Sequence, residues 1–403
     1  MFARRLLNGG ACRRLFARRV HSEPADPLLA KIDISQVSSS ATGNWLLFSS
    51  GLSLGVIAAN GIVRTSDATL VVPSITTLTV PSSEEQWTQR YVAYTQTSNF
   101  RAQHTQMPMD EFKQKYWKVM TSRYLSMALA AGYFVPLAVL ARGRHIARKE
   151  YGRVAANGAL VLGYAAAGAK LQTSGNGSES GMPSVGWQLS QVTLGYFMFS
   201  DLLIYGLGIL RTRRLVSGRF PHSARFRQIF EQPDVRQARL YAVLVEHGIV
   251  CAGMAGVFMA TTNAGQFYPE WPLVGSRAIA SDDFCATGWR IWENPAVVAV
   301  MHRSLGEGAG VLALLTWIKF MRLRKALPRS AILFAHGMLA MTAAQVALGI
   351  ATLWSTVHPH VSLAHETNSY LLLVATILLM NSTKRLPPNQ HLGKLIRSLK
   401  LPK

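Results

Sequence analysis

Long apolar runs separated by shorter polar stretches dominate the 403-residue chain. A helix needs about 20 predominantly apolar residues to cross the hydrocarbon of a bilayer. Eight runs approach that length: residues 45–63, 124–140, 154–171, 192–210, 240–260, 297–320, 331–353 and 363–380. The pattern therefore predicts an all-α membrane protein with eight transmembrane helices. A long polar loop, residues 64–122, follows the first run and is expected to carry short surface helices.

A repeat of small residues divides the chain into two halves. In the first and fifth runs a Gly or Ala recurs at every fourth position, which lets another helix approach closely. These residues are Gly51, Gly55 and Ala59 in the first run and Gly248, Ala252, Gly256 and Ala260 in the fifth. Internal repeats are common in membrane folds. The sequence thus predicts two tandem four-helix bundles, residues 45–210 and 240–380, joined by a basic loop, residues 211–239.

The halves also match in register at their even-numbered runs. Ser122-Arg123, next to the second run, is in the same register as His302-Arg303 of the sixth, while Thr193 in the fourth run occupies the place of His365 in the eighth. The comparison suggests one four-helix unit that was duplicated, with histidines kept only in the second copy.

Charge is distributed unevenly along the chain. Its 42 Lys and Arg against 20 Asp and Glu give a formal net charge of +22. These residues cluster in the N-terminal segment and in short loops, without the interleaved aromatics of a nucleic-acid groove, so no nucleic acid is expected as a partner. The second, fourth and sixth loops are basic, whereas the third and seventh contain no Lys or Arg. The positive-inside rule places both termini and the even-numbered loops on one side, predicted to be the matrix.

The first 23 residues have the composition of a targeting sequence. They are rich in Arg and contain no acidic residue before Glu23, which is typical of a mitochondrial transit peptide. The alternative is a disordered basic arm. Residues 24–44 are then a matrix linker and residues 381–403 a basic matrix tail. The predicted location is the mitochondrial inner membrane, with several spans and both termini in the matrix.

Two histidines lie in apolar segments of the second half. His302 is inside the sixth run and His365 is at the start of the eighth. An imidazole within a hydrocarbon-facing segment needs a partner, and a single one usually hydrogen-bonds to a neighbouring helix. Two imidazoles on neighbouring helices, however, suit a six-coordinate heme iron. His302 and His365 are therefore candidate iron ligands.

Short motifs follow one another along the predicted spans. They are Asn60-Gly-Ile-Val-Arg-Thr-Ser-Asp67, Glu84-Glu-Gln-Trp87, Met107-Pro-Met-Asp-Glu-Phe112, Met182-Pro-Ser-Val185, Trp292-Glu-Asn-Pro295, His302-Arg303, Gln345-Val-Ala-Leu-Gly-Ile350 and Met380-Asn381. In this order and spacing, from about Trp45 to Pro387, the chain resembles the mitochondrial heme A synthase family.

The resemblance implies heme-binding positions on the second, fourth, sixth and eighth spans. In that family a histidine fills each of them. The second-half pair holds heme b, and the first-half pair frames the site where a ring methyl of heme O is oxidised to give heme A. His302 and His365 match the second-half pair, so the resemblance implies heme b as the cofactor, with these two residues as its iron ligands.

The first half departs from the family pattern at three positions. Ser122 and Thr193 stand where the family has histidines, and Val119 stands where it has a glutamate. A hydroxyl is a poor iron ligand beside imidazole, and a valine cannot relay protons. His104 lies one position from a family histidine and is expected at the surface. The small residues 165–168 predict that the first-half helices close in rather than leave a pocket.

Two arginines are candidates for binding carboxylates at the membrane surface. Arg303 and Arg64 are placed to neutralise heme propionates or loop carboxylates, because a guanidinium fork matches a carboxylate. The alternative is that each side chain extends to the interface for its own solvation.

Three functions remain open from the sequence. The first is a family member that binds heme b without oxidising heme O and acts in heme A and cytochrome c oxidase biogenesis. The second is an active, divergent heme A synthase, and the third is a structural subunit of a respiratory complex without heme. The intact pair of His302 and His365 argues against the third. Expected partners are membrane lipid and proteins of oxidase assembly or a respiratory complex, and a homo-oligomer stays open.

Overall fold

Eight long helices make up the bulk of the fold. The computed structural model describes residues 37–72, 74, 76–174, 182–217, 219, 223–274 and 291–385. The helices are α1 (Ser40–Thr65), α2 (Met109–Arg142), α3 (Tyr151–Thr173), α4 (Val185–Val216), α5 (Pro233–Thr261), α6 (Pro295–Arg322), α7 (Arg329–Trp354) and α8 (Pro359–Ser382). All eight are long and apolar enough to cross a membrane. The predicted fold class is confirmed, and each predicted span lies inside one helix.

Several helices extend beyond their apolar runs, and α2 does so most. It begins at Met109, whereas the predicted span begins at residue 124. Its first turn carries Asp110 and Glu111, which favour a helix N-terminus. Hydropathy marks only the part of a helix that faces hydrocarbon, so the polar start of α2 was missed.

The helices pack in two groups that share a core. In the first half, α1 packs along α2 and α4, and α3 packs on α4. In the second half, α5 packs on α6, α7 packs on α8, and smaller contacts join α6 to α7 and α5 to α8. Contacts of α8 with α1 and α4, and of α5 with α4, connect the groups. The histidine-bearing helices α6 and α8 are therefore diagonal members of one bundle.

The start of α6 explains the Trp292-Glu-Asn-Pro295 motif. Asn294 is the N-cap, and its side-chain oxygen accepts from the backbone amides of Ala296 at 3.0 Å and Val297 at 3.3 Å. Pro295 occupies the first helical position, where a missing amide costs nothing. The motif fixes where α6 begins, and so fixes the depth of His302 two turns later.

The first loop folds as a cap on the first half. Helices Glu84–Thr95 and Ser98–Gln103 lie between α1 and α2, as the expectation of short helices predicted. The cap has its own hydrophobic core, in which Trp87, Tyr94 and Phe112 pack against the buried Val119 of α2. We refer to this end of the bundle as the cap side.

His104 belongs to the interior of the cap, so its predicted surface position is wrong. It is only 9% exposed. Its Nε2 lies 2.6 Å from an Asp67 carboxylate oxygen, and its Nδ1 lies 2.7 Å from the Tyr94 hydroxyl. Burial, followed by the charge of Asp67, raises the pKa of Tyr94, which keeps its hydroxyl neutral as a hydrogen-bonding partner.

Three predictions fall wholly or partly outside the described residues. The transit peptide (residues 1–23) lies outside them entirely, and so do residues 24–36 of the predicted linker and residues 386–403 of the predicted tail. These segments stay predictions.

Arg123 fastens the cap to the membrane helices. Its terminal nitrogens donate to the carbonyls of Val72, Ser74 and Thr77 at 2.7–2.8 Å. Its Nε and Nη2 also donate to the side-chain oxygen of Gln172 on α3, at 3.0 and 2.7 Å. One buried side chain thereby satisfies several loop carbonyls that are withdrawn from water.

We expect Arg123→Met to loosen the cap. The substitution keeps an unbranched apolar stem but removes the guanidinium, which leaves the three loop carbonyls without their donor, so the free energy of unfolding should fall by roughly 3 kcal/mol. Thermal unfolding and limited proteolysis of the protein in nanodiscs measure the effect. Arg90→Met, at an exposed position of the cap, is the matched control and should change little; equal effects of both substitutions would contradict the anchoring role.

Candidate functional site

His302 and His365 face each other between α6 and α8. Their ring centroids are 6.4 Å apart, and their planes are inclined by 72°. Both side chains are half-buried. The structure therefore brings together the two histidines that the sequence singled out, although 62 intervening positions separate them along the chain.

The backbone fixes the tautomer of His302. Its Nδ1 lies 3.0 Å from the carbonyl oxygen of Ala252 on α5. A carbonyl only accepts, so Nδ1 carries the proton and Nε2 keeps its lone pair for a metal. Gly256, one turn further along α5, lies against the ring, because a Cβ there would be 3.5 Å from His302 Cε1.

Residues of α7 surround His365 of α8, but the polar neighbour of its ring is an amide nitrogen rather than a carbonyl oxygen. A Cβ on Gly349 would lie 3.2 Å from its Cε1. Gln345, one turn earlier, places its amide nitrogen 3.3 Å from His365 Nδ1 and donates to the His365 carbonyl at 3.2 Å. Asn368 donates to the Gln345 side-chain oxygen at 2.7 Å. Each imidazole thus rests against a glycine of the preceding helix and is held by a polar contact.

The residues present fit a heme iron with two axial imidazoles. When each ligating nitrogen lies about 2 Å from one metal, the ring centroids are roughly 6 Å apart. The pair already has this separation. No group of three or more His, Cys, Asp or Glu side chains gathers as a metal site within the described residues, but a heme iron takes only two ligands from the protein. The donor set therefore suits heme rather than a bare ion.

The first-half positions are arranged differently. Ser122 is buried, and its hydroxyl donates to the side-chain oxygen of Asn60 on α1 at 2.7 Å. Asn60 in turn donates to the hydroxyl of Tyr164 on α3 at 2.8 Å. Val119 is fully buried in the cap core, and Thr193 is half-buried. A hydrogen-bonded bridge between α1, α2 and α3 takes the place of facing imidazoles.

The two candidate arginines have protein partners. Arg303 donates to the carbonyls of Tyr268, Glu270 and Leu273 at 2.6–2.8 Å, as Arg123 does in the first half. Arg64 forms an ion pair with Glu366 on α8. Sequence reasoning anticipated a carboxylate for Arg64, but on a loop or a heme rather than on a helix.

Residues of α8 close to His365 along the helix contact the first half. Glu366 pairs with Arg64 of α1. Ser369 and the Tyr196 hydroxyl of α4 lie 2.9 Å apart, and the rings of Tyr196 and Tyr370 stack with centroids 4.6 Å apart. Sequence reasoning missed these contacts, although an acidic residue next to His365 in an apolar run was a usable signal. One helix thus carries a candidate ligand and the main polar contacts between the halves.

The chain is similar to known proteins along most of its length. A family model described as "Cytochrome oxidase assembly protein" matches residues 43–377. The human heme A synthase is 27% identical over 358 residues, covering 88% of this chain and 85% of the relative. The yeast Saccharomyces cerevisiae protein is 22% identical, covering 85% of this chain and 75% of its own length. The bacterial enzyme of Maricaulis maris is 27% identical, covering 85% of this chain and 96% of the relative.

Removal of one charge at the contact between the halves should destabilise the fold. Glu366→Gln leaves Arg64, whose side chain is only 14% exposed, without its counterion, so the free energy of unfolding should fall by about 3 kcal/mol. The double variant Arg64→Met with Glu366→Leu should recover most of this loss. Thermal unfolding of all variants in nanodiscs measures these changes in the free energy of unfolding.

The control is the more exposed pair of Arg153 and Asp201. Asp201→Asn should change the free energy of unfolding by no more than about 1 kcal/mol. A double variant as unstable as Glu366→Gln would contradict the expected coupling.

Proposed function

The chain belongs to the heme A synthase family of cytochrome oxidase assembly proteins, and we propose that it acts in heme A biosynthesis and oxidase assembly. More specifically, we infer that its second half binds heme b and that its first half does not oxidise heme O. The protein is then a heme-binding member of the family without its catalytic step.

One observation carries the heme proposal. His302 and His365 face each other at the separation of two axial ligands, with ring centroids 6.4 Å apart. Bound there, heme b would supply a one-electron redox centre. Ala252 holds His302 with Nε2 available, and Gln345 holds His365. Arg303 is the cation next to this pair; we propose that it serves the heme by fixing the loop at residues 268–273 and by its positive charge.

The proposed loss of catalysis rests on the first-half residues. The Ser122 hydroxyl is engaged with Asn60, so it is not directed at an iron. Val119 packs in the cap core and offers no proton-transferring group where the family has a glutamate. These side chains bind helices to one another, which is a structural rather than a chemical use of the positions.

An active synthase is the second candidate. A narrow cavity next to the Ser122–Asn60 bridge is lined by polar side chains of Asn60, Arg64, Gln172 and Gln191. Polar groups that converge on a cavity could hold the edge of a porphyrin without axial histidines. This reading requires the first-half helices to separate, because Asn60, Ser122 and Tyr164 now bridge them.

The proposed location is the mitochondrial inner membrane. Eukaryotic relatives cover most of the chain, and eight helices are suited to crossing a bilayer. The basic even-numbered loops support an orientation with both termini in the matrix. Membrane lipid and oxidase assembly proteins are the partners that this location and the family favour.

Substitution of either histidine should abolish the heme signal. We expect His302→Ala and His365→Ala to lose the b-type reduced-minus-oxidised spectrum of the purified protein, because a single imidazole cannot maintain six-coordinate iron. The variants should still insert and purify from the membrane. His247→Ala, at an exposed position on α5, is the control and should keep the full spectrum. Unchanged spectra in both site variants would refute heme binding at this pair.

Expression in cells that lack their own heme A synthase tests the second part of the proposal. We expect heme b but no heme A when pigments are extracted and separated by chromatography. Restored heme A formation would establish the enzyme and overturn the non-catalytic proposal, while leaving the heme b proposal intact. A family member with all four histidines serves as the positive control.

A further inference from the structure

Cationic side chains from both halves meet at the end of the bundle away from the cap. Arg211 lies near the end of α4, Arg239 near the start of α5, and Lys384 and Arg385 follow α8. We call these four residues the basic junction. Arg211 Nη2 donates to the Lys384 carbonyl at 2.6 Å. Lys384 Nζ lies 3.8 Å from the place that a Cβ on Gly208 of α4 would take.

The carboxylates near the junction are used mainly by other residues. Glu150 accepts from the Tyr205 hydroxyl at 2.7 Å, and Asp201 pairs with Arg153 at 2.6 Å. Glu231 lies 3.4 Å from Arg385 Nε. Across the described residues, the junction thus holds more cations than carboxylates that reach it.

Two features of the junction call for an anion. Burial, followed by the charges of Arg153, Arg239 and Arg211, lowers the pKa of Lys384. Both desolvation and repulsion therefore destabilise its ammonium group. In addition, Arg239 Nε is buried without a hydrogen-bond partner in the described part of the chain. A buried donor of this kind normally finds an acceptor. An anionic oxygen would relieve both.

The position of the junction favours a lipid as the source of that oxygen. The residues lie at or just beyond the ends of membrane-spanning helices, where lipid headgroups are found. A buried aromatic ring borders the junction: the Arg211 guanidinium lies 5.7 Å from the ring centroid of Phe230, which is 1% exposed. Basic sites between spanning helices on the basic-loop side suit anionic headgroups.

We propose that the basic junction binds the phosphate group of an anionic phospholipid, which supplies the negative charge between the end of α4, the start of α5 and the end of α8. On the cap side, Arg64 and Glu366 join the halves by opposite charges of their own. On the other side both halves contribute cations, and the lipid phosphate completes the contact.

The test compares the full-length protein in nanodiscs of phosphatidylcholine alone with nanodiscs that also contain phosphatidylglycerol. The phosphatidylglycerol should raise the thermal unfolding temperature of the unsubstituted protein, and native mass spectrometry should show it retained. Arg239→Gln and Lys384→Gln should each bind it about fivefold more weakly, the effect of one cation near a membrane surface. Arg329→Gln removes an exposed arginine from the start of α7, at the same end of the bundle, and should bind as the unsubstituted protein does.

The remaining outcomes overturn the proposal. Equal weakening in Arg329→Gln would mean that general surface charge attracts the lipid. Unweakened binding in both site variants would mean that the lipid lies elsewhere. If millimolar inorganic phosphate in phosphatidylcholine nanodiscs stabilises the protein as much, the site takes free phosphate and not lipid. Lipid binding is measured for both Arg239→Gln and Lys384→Gln. If one of these variants does not fold, the other still tests the proposal.

Discussion

A polar group inside the bundle depends on partners within the protein, because hydrocarbon offers none. This constraint accounts for most of the specific contacts in the structure. His302 uses the carbonyl of Ala252, and Ser122 uses Asn60. Arg123 and Arg303 both supply donors to loop carbonyls, since each donates to the loop that precedes its own helix. The two halves therefore share a mechanism for closing their loops even where their candidate ligands differ.

Helices α2 and α6 each carry two neighbouring residues with different roles. The residue at the ligand position is His302 in one half and Ser122 in the other, but the arginine that follows it is present in both. The arginine holds the loop, while the preceding residue faces a second imidazole in one half and bridges helices in the other. Replacement of an imidazole by a hydroxyl therefore leaves the loop in place and changes only what the interior can bind.

The sequence predicted the parts of the fold that depend on local pattern. Hydropathy located all eight spans. The positions of His302 and His365 at the same end of their helices predicted that they lie close together, and their rings face each other in the structure. The cap core was not predictable, because His104 is polar and is buried only through its long-range contacts with Asp67 and Tyr94. Glu366 stands out as an acidic residue in an apolar run, but nothing local pairs it with Arg64 in particular. Long-range pairing depends on which helices become neighbours, and no single run of residues encodes that.

The pair of Arg64 and Glu366 has a consequence for how the protein is made. The two residues are 302 positions apart, on the first and the last of the eight long helices that the structure describes. During synthesis, α1 enters the membrane long before its counterion has been translated, and every shorter chain carries an arginine without that partner. The halves can be joined on the cap side only when α8 inserts. The ion pair that joins the halves on the cap side therefore forms only after the last of the eight long helices has been synthesised.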